Sequence, residues 1–428
     1  MDLIYRFCKA ALFPIMRIFY RRVYFSNRQN VPQNKPILLA CNHPNSFLDG
    51  ISVSYYLLRR TYVLVRGDVF KKGWADYLLR SYRLLPIFRS TDGEDPKENR
   101  KNNNITFDNC YALFQKNYAI IIFSEAIAKL EKRLRPLKKG TARLAFDSME
   151  KSNWEMDLCI VPTSLNYTHF KGFRNELMID FDKPIMVKDY KQAYLENSGN
   201  AILQLTKDIE EKLTAGVIIC EDPENDDAFD VHSTINRNQI RKPFFGYWFT
   251  KELPVKKERA AAVSFAHSIK DEGYKSSLLA YQQLLHKMDL TDKSISKPSG
   301  LFWKIPFVLI CTIPAAIGMF LHFIPYKLAA HLTPKMIKKH EFYDSILVGL
   351  CLVLGMIYTL ILMLIGLPIF GLKALLVIVL IKVFAINSLF VWEAWQDIIY
   401  ALRKSLIASA NPEKIKEVME KRQAFVVQ

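Results

Sequence analysis

A histidine and an aspartate near the start of the chain have the residue types needed to remove a proton from a hydroxyl group. His43 follows a short apolar run and Asp49 comes six residues later, in LLACNHPNSFLD over residues 38–49. The run predicts a buried strand that leaves His43 in a loop, with Pro44 able to begin the next helix. Histidine suits general-base catalysis, and Asp49 could hold the opposite ring nitrogen. A helix-capping aspartate beside an ordinary loop histidine would have the same spacing.

Two later segments add groups that could bind a polar or anionic substrate. LLPIFR ends in Arg89 at the expected end of a strand, where a guanidinium could hold a phosphate through two hydrogen bonds. IIFSEA is expected to be a strand followed by Ser124 and Glu125. All three residues are candidates for substrate binding.

A basic segment and a proline complete the candidate residues. KRLRPLKKG over residues 132–140 leads into the helical pattern TARLAF, so Lys139 and Gly140 could offer cationic and backbone donors at a helix N-terminus. A solvated lysine in a basic run is the plain alternative for Lys139. In IVPT, Pro162 is expected to end a buried strand and to form part of a pocket wall.

Short apolar runs alternate with helical periodicity before residue 299. The runs at 36–40, 62–65, 119–123, 159–162 and 177–181 predict buried strands, and the stretches at 105–115, 142–149 and 193–213 predict helices. The predicted fold class is therefore α/β, with a mixed sheet flanked by helices. The acidic run 221–230 lacks calcium-loop spacing and is expected to be a solvated loop, followed by further helices.

Composition narrows the classes of partner. The 59 basic and 42 acidic residues give a formal net charge of +17, which favours anionic partners such as phosphorylated substrates or lipid headgroups. Nucleic acid is not expected, because the basic residues lie among apolar segments and no nucleic-acid-reading motif occurs. The seven cysteines lack C-x-x-C spacing, so neither a disulfide framework nor a metal site is expected.

Three apolar blocks, at about 307–324, 346–366 and 372–392, predict attachment to a membrane. Placing the basic residues that follow the first and third blocks, such as Lys335 and Arg403, on the cytoplasmic side makes the second and third blocks a hairpin. The first block is then re-entrant or interfacial. A third block buried against the soluble part is the alternative. Residues 1–25 interleave apolar and basic residues and predict an amphipathic helix in the membrane interface, or else a surface helix packed on the core.

The four segments with candidate residues resemble, in order and spacing, the four sequence blocks of the PlsC-type glycerophospholipid acyltransferase family. The resemblance covers about residues 30–190. It implies that His43 is the catalytic base, that Asp49 orients it and that Arg89 binds a phosphate. It also implies an acceptor-binding role for Glu125 and a pocket wall at Pro162. Ser124, Lys139 and Gly140 are further candidate substrate-binding residues from the residue patterns described above.

Two features differ from most members of that family. Five residues rather than four separate His43 from Asp49, and the third block is FSEA instead of FPEG. The longer spacing is similar to the branch of fungal-type glycerol-3-phosphate and dihydroxyacetone-phosphate acyltransferases. RPLKKGTARLAF, VPTSLNYTHFKGFR and FDKPI agree with that branch.

The resemblance implies transfer of an acyl group from acyl-coenzyme A or acyl-carrier protein to the 1-hydroxyl of glycerol 3-phosphate, without a cofactor. A lysophospholipid acceptor such as lysophosphatidic acid, and a catalytically degenerate membrane scaffold, are the alternatives. The expected parts are an interface helix (1–25), an acyltransferase domain (26–220), an acidic loop with a helical extension (221–299) and a membrane region with a basic tail (300–428). The protein is expected to be integral to a membrane and in contact with its lipids, with the catalytic domain on the cytoplasmic side.

Overall fold

The structure is a computed structural model that describes residues 2–57, 59–70, 73–89, 96–169, 173–240, 242–245, 248–249, 253–296, 301–337 and 340–427. The strands are β1 (Tyr20–Ser26), β2 (Ile37–Cys41), β3 (Thr61–Arg66), β4 (Leu84–Ile87), β5 (Ala119–Phe123), β6 (Cys159–Tyr167), β7 (Asn175–Phe181), β8 (Ile185–Met186) and β9 (Trp248–Phe249). The helices are α1 (Asp2–Phe19), α2 (Ser46–Tyr56), α3 (Gly73–Ser81), α4 (Pro96–Phe114), α5 (Gly140–Lys151), α6 (Lys191–Glu196), α7 (Ser198–Gly216), α8 (Asp226–Arg237), α9 (Leu253–Ser268), α10 (Glu272–Lys287), α11 (Asp292–Ile295), α12 (Leu301–Met336), α13 (Tyr343–Phe370), α14 (Lys373–Ala410) and α15 (Pro412–Gln423).

The strands form one mixed sheet in the order β4-β3-β5-β2-β6-β7-β1-β9, with β8 beside β6. The neighbours from β4 to β6 are parallel, whereas β7 runs antiparallel to β6. The carboxyl ends of β2, β4 and β5 therefore meet at the same edge of the sheet. The predicted α/β fold class with a mixed, helix-flanked sheet is confirmed.

Helices cover both faces of the sheet, which explains why strands β2 and β5 are apolar throughout. On one face, Met16 of α1 and Leu48 and Tyr56 of α2 pack against the sheet. On the other face, α4, α5 and α7 contribute Phe114, Phe146 and Leu205, among other residues. A separate core joins α8, α9, α10 and the C-terminal α15. Helix α15 therefore packs against helices that precede the apolar blocks in the chain.

Four local expectations differ from the structure. The helix expected over residues 1–25 ends at Phe19, because Tyr20–Ser26 is a buried strand between β7 and β9. Pro44 does not begin a helix, since α2 starts at Ser46. Pro162 does not end its strand, because β6 continues to Tyr167.

The continuation of β6 past Pro162 has a simple reason. The amide of Cys159 points towards β2, so the missing amide of Pro162 would face the other side. There β6 pairs with β8 only at residues 159–160 and with β7 only from Thr163 onwards. A proline is tolerated where no ladder hydrogen bond is required.

The acidic run 221–230 is the fourth difference, because its second half is helical. Asp226 begins α8, and its carboxylate accepts hydrogen bonds from Arg133 at 2.7 and 2.9 Å. Asp230 contacts Lys132. Acidic residues are favourable in the first turn of a helix, and here the basic segment 132–140 neutralises them. The run is thus a charged contact between the sheet domain and its helical extension.

Three helices are long and apolar enough to cross a membrane: Leu301–Met336, His340–Phe370 and Lys373–Ala410. Many large apolar side chains on these helices are exposed, as expected for surfaces that face lipid. Helices α13 and α14 form an antiparallel hairpin around Gly371. Gly366 lies against Ala374, and Lys382 Nζ lies 5.5 Å from the ring centre of Tyr358.

Helix α12 follows α14 only part of the way into this hairpin. Lys304 Nζ lies 2.5 Å from the carboxylate of Asp397, and Gly318 packs against the backbone of Phe384 and Ala385. His322 lies four residues after Gly318, and its ring is 5.5 Å from the ring of Tyr358. Tyr358 lies at about the same depth in the hairpin as Phe384.

The short connection to α13 requires α12 to turn back. Ser345 and Asp397 are equally far along the chain from Gly371, so they lie at similar heights in the hairpin. A straight 36-residue helix would be about 54 Å long, whereas residues 337–342 can span only roughly 20 Å. Helices kink at proline, and α12 contains Pro306, Pro314, Pro325 and Pro334. A reversal at these prolines would give the first apolar block the re-entrant course expected from the sequence.

This topology predicts which loops share a side of the membrane. In proteoliposomes, the variants Lys335→Cys and Ser409→Cys should react with an impermeant maleimide from the same side, and Leu372→Cys from the opposite side. The native protein measures the background from its own cysteines. A straight, spanning α12 would instead make Lys335→Cys react together with Leu372→Cys.

Candidate active site

The site is built around His43 and Asp49 at the carboxyl edge of the sheet. Strand β2 ends at Cys41, and α2 begins at Ser46, so the loop between them carries His43 and the first turn of α2 carries Asp49. His43 Nδ1 lies 2.9 Å from Asp49 Oδ2. The Asp49 side chain is fully buried, whereas 17% of the His43 side chain is exposed. With its Nδ1 proton donated to Asp49, the imidazole keeps Nε2 to accept a proton.

The Asp49 carboxylate accepts two further hydrogen bonds. The amide of Asn45 donates to Oδ2 at 2.7 Å, and the hydroxyl of Tyr167 donates to Oδ1 at 2.7 Å. Burial raises the pKa of Tyr167 well above its ordinary value, so this hydroxyl remains a donor. Tyr167 is the positioning residue that the sequence did not reveal. In the sequence, the only indication of Tyr167 was its position shortly after the IVPT segment.

Two contacts hold the His43 loop against the sheet. The His43 ring stacks on Phe123, the last residue of β5, with ring centres 3.9 Å apart and planes 15° apart. The Asn42 side chain bonds to the backbone of Leu165 in both directions, at 2.7 and 3.0 Å. The neighbouring Cys41 is buried and its pKa is raised by that burial, so it is not a thiolate nucleophile.

Glu125 braces this loop from the end of β5. Its carboxylate accepts a 2.8 Å hydrogen bond from the His43 amide and a 3.3 Å bond from the Arg135 amide. Burial raises the pKa of Glu125 to about 7, although both amides oppose that shift. Because Glu125 is 5% exposed, its contact with the main chain of His43 is its clearest role in the structure.

The contacts of residues 123–126 show how FSEA can replace FPEG at this turn. Ser124 donates its amide to Cys41 O at 3.0 Å, a bond that proline could not make, and its hydroxyl bonds to Thr141 at 2.9 Å. Ala126 has φ 62°, which is the left-handed conformation that glycine adopts most easily. The turn is thus kept with alanine at the position of the family's glycine.

Arg89 lies beside the same turn. Its Nη1 donates a 2.6 Å hydrogen bond to the carbonyl of Ala126, and its own carbonyl accepts a bond from Asn99. The residue that Arg89 contacts, Ala126, therefore directly follows Glu125, which binds the His43 amide. The structure brings together His43, Asp49, Arg89 and the 124–126 turn.

The remaining candidates lie further from the pair. Lys139 is exposed at the start of α5, where its side chain makes no capping hydrogen bond. A side chain added at Gly140 would meet no atom within 4 Å, so no close approach requires glycine there. Pro162 is buried within the sheet and pairs with Ala40, which lies three residues before His43 in the chain. Within the described ranges, no group of three His, Cys, Asp or Glu side chains could hold a metal ion.

The fold and the site define an α/β domain that presents a histidine, oriented by a buried aspartate, at the carboxyl edge of its sheet. Residues 22–166 match the Acyltransferase family. The matched range contains His43, Asp49, Arg89 and Glu125.

Two known proteins are similar to parts of the chain. Glycerol-3-phosphate O-acyltransferase 1 of Saccharomyces cerevisiae is 32% identical over 111 residues, which are 25% of this chain and 14% of that protein. The chain thus matches only a small part of its curated relative. The crystal structure of the 1-acyl-sn-glycerophosphate acyltransferase PlsC from Thermotoga maritima aligns with 50% of this chain and 78% of that one, at 14% identity and a TM-score of 0.36.

The hydrogen bond from Tyr167 to Asp49 predicts a kinetic effect. Tyr167→Phe should lower kcat about 3- to 10-fold, because one net hydrogen bond that orients the base is lost. Tyr190→Phe is a matched control, since Tyr190 donates to Asp208 far from His43 along the chain. Equal rates for the two variants would show that Tyr167 does not position Asp49.

The raised pKa of Glu125 predicts a pH-dependent stability. The folded-state pKa of Glu125, about 7, exceeds the ordinary 4.5, so the folded state binds more protons than the unfolded state between these pH values. The contribution of Glu125 to the free energy of unfolding should therefore fall as the pH rises from about 4.5 to 7. Thermal unfolding in detergent should show that the wild type loses stability relative to Glu125→Gln over this range. Glu196→Gln, at an exposed position, is the control. A constant difference across the range would contradict the shift.

Proposed function

We propose that this protein transfers an acyl group from an acyl thioester to the 1-hydroxyl of glycerol 3-phosphate, giving lysophosphatidic acid. The observation that carries the proposal is the 2.9 Å contact between His43 and a fully buried Asp49 inside a segment that matches the Acyltransferase family. The similarity to a yeast glycerol-3-phosphate acyltransferase over 111 residues supports this acceptor.

The chemistry follows from the two ring nitrogens of His43. Nε2 removes the proton from the acceptor hydroxyl as its oxygen attacks the thioester carbonyl. Asp49 stabilises the imidazolium that forms through its bond to Nδ1. When the carbon–sulfur bond breaks, the imidazolium returns the proton to the departing thiolate. The donor is already activated, so the reaction needs no cofactor and no serine or cysteine nucleophile.

Arg89 supports a phosphate-bearing acceptor. Its guanidinium lies beside the 124–126 turn, on the side of the sheet where the carboxyl ends of β2, β4 and β5 meet. A planar guanidinium matches a phosphate in geometry and charge. In the same proposal Ser124, Glu125 and Pro162 shape the acceptor site, and Lys139 and Gly140 contribute at its basic rim.

A lysophospholipid acceptor is the second candidate, and one observation favours it. The first turn of α2, next to His43, contacts the start of membrane helix α13 through a 5.8 Å separation of the Phe47 and Phe342 rings. A catalytic loop beside a membrane helix could receive a lipid acceptor directly from the bilayer. The catalytically degenerate scaffold has less support, because the His43–Asp49 contact is intact.

We place the catalytic domain on the cytoplasmic side of the membrane. Basic residues near membrane helices favour that side, and Lys335, Arg403 and Lys404 follow the first and third apolar blocks in the sequence. The proposed partners are membrane lipids, the phosphorylated acceptor, and acyl-coenzyme A or acyl-carrier protein.

An assay of the purified full-length protein in detergent tests the proposal. Labelled glycerol 3-phosphate or lysophosphatidic acid is supplied with each acyl donor, and glycerol 3-phosphate should be acylated faster. His43→Ala should lower the rate about 10²–10⁴-fold, which is the usual contribution of a positioned base. His286→Ala, at an exposed site on α10, should keep full activity.

The outcomes separate the candidates. Preferential acylation of lysophosphatidic acid would replace the acceptor but keep the chemistry. A His43→Ala variant that retained roughly a third of the wild-type rate would exclude His43 as the base, and inactivity of the wild type with every pair of substrates would favour the scaffold.

A further inference from the structure

The first turn of α2 has an unusual N-terminus for a helix that carries a catalytic residue. The first amides of any helix have no partner within that helix, and an N-cap side chain normally accepts from the second or third of them. Here the N-cap is Asn45, and its side chain makes no such bond. Its buried Oδ1 has no hydrogen-bond partner among the described residues.

The missing cap is supplied by the membrane hairpin. The amide of Leu48, the third residue of α2, donates a 3.1 Å hydrogen bond to Ser345 Oγ near the start of α13. The same amide also lies 3.1 Å from Asn45 O, so the two acceptors share it. Leu48 immediately precedes Asp49. A residue almost three hundred positions away therefore occupies the capping position of the helix that holds the catalytic carboxylate.

The backbone beside this contact is strained. Ser46 has φ 46°, in the left-handed region that residues other than glycine seldom occupy. Such a conformation persists only where surrounding contacts impose it. The start of α13 supplies several such contacts, since Val348 belongs to the core cluster of the sheet domain and Phe342 packs on Phe47.

The same end of α13 also carries an acidic residue, Asp344, whose charge acts on Tyr20 beside the catalytic pair's hydrogen bonds. Tyr20 bonds to Ser52 of α2 at 2.9 Å, and its ring lies 6.2 Å from that of Tyr167. The pKa of Tyr20 is raised mainly by burial, and further by the negative charges of Asp49 and Asp344. Asp344, the neighbour of Ser345, is 4% exposed. A polar group of the membrane hairpin is therefore buried near Tyr20, which bonds to α2.

We infer that Ser345 is a positioning residue of the active site, which acts by capping α2 and holding Asp49 against His43. The membrane hairpin thus completes the catalytic loop in addition to anchoring the protein. The kinetic consequences of this role depend on the proposed function, but the cap itself can be measured without any substrate.

Hydrogen exchange of the full-length protein in detergent measures the cap directly. Ser345→Ala removes the acceptor, so amides in the peptide covering residues 45–50 should exchange about 3- to 10-fold faster. Ser345→Thr keeps the hydroxyl and should restore protection. Ser388→Ala is the matched control, because Ser388 Oγ bonds only to Ala385 O of its own helix in the described structure.

Kinetics then test whether the cap acts through Asp49. Ser345→Ala should lower kcat about 3- to 10-fold with little change in either KM, and Ser345→Thr should recover it. In the Asp49→Asn background the same substitution should have almost no further effect, because the group that it positions is already altered. A general loss of folded protein would lower both backgrounds by the same factor.

Two results would overturn the inference. One is unchanged exchange over residues 45–50 in Ser345→Ala, and the other is an equal loss of rate in the wild-type and Asp49→Asn backgrounds. A wild-type protein without acyltransferase activity would refute the proposed function instead, while the exchange measurement would still decide whether the cap exists.

Discussion

The site depends on the burial of one carboxylate. Removing an ionised Asp49 from water is costly unless hydrogen bonds replace its hydration, and here the imidazole of His43, the hydroxyl of Tyr167 and the amide of Asn45 do so. These donors come from the loop after β2 and from the end of β6. The carboxylate therefore fixes the orientation of the histidine, and the sheet in turn must hold two distant segments side by side.

The sheet and the membrane hairpin are joined by a mostly buried cluster of charges. Glu393 of α14 contacts Arg21 of β1 and Arg174, each at 2.6 Å. Among the helices themselves, Asp397 of α14 contacts Lys304 of α12 and Lys293 of α11, each at 2.5 Å. Ion pairs of this kind need precise partners, because a single charge left unpaired in a partly buried position is strongly destabilising. The hairpin is thus held in one position relative to the sheet, which allows Ser345 to reach the α2 amide.

The expected residues converge for a reason that the sequence already contains. His43, Arg89 and Glu125 each follow an apolar run that forms a strand, and these strands are parallel, so their carboxyl ends meet at one edge. The prediction of a helix over residues 1–25 was wrong beyond Phe19, because the aromatic and β-branched residues Tyr20, Val23 and Phe25 belong to a strand of the sheet. Local periodicity does not show whether a neighbouring strand is available.

The sequence by itself determined the α/β class, the His43–Asp49 pair, the basic segment and the apolar blocks, because these depend on residue type and on spacing over a few residues. Tertiary structure alone decided that Tyr167 donates to Asp49, that Glu125 braces the His43 backbone and that Ser345 caps α2. It also decided that α15 packs on α8, α9 and α10. Each of these contacts joins groups far apart in the chain, and no local pattern specifies which distant segments fold together.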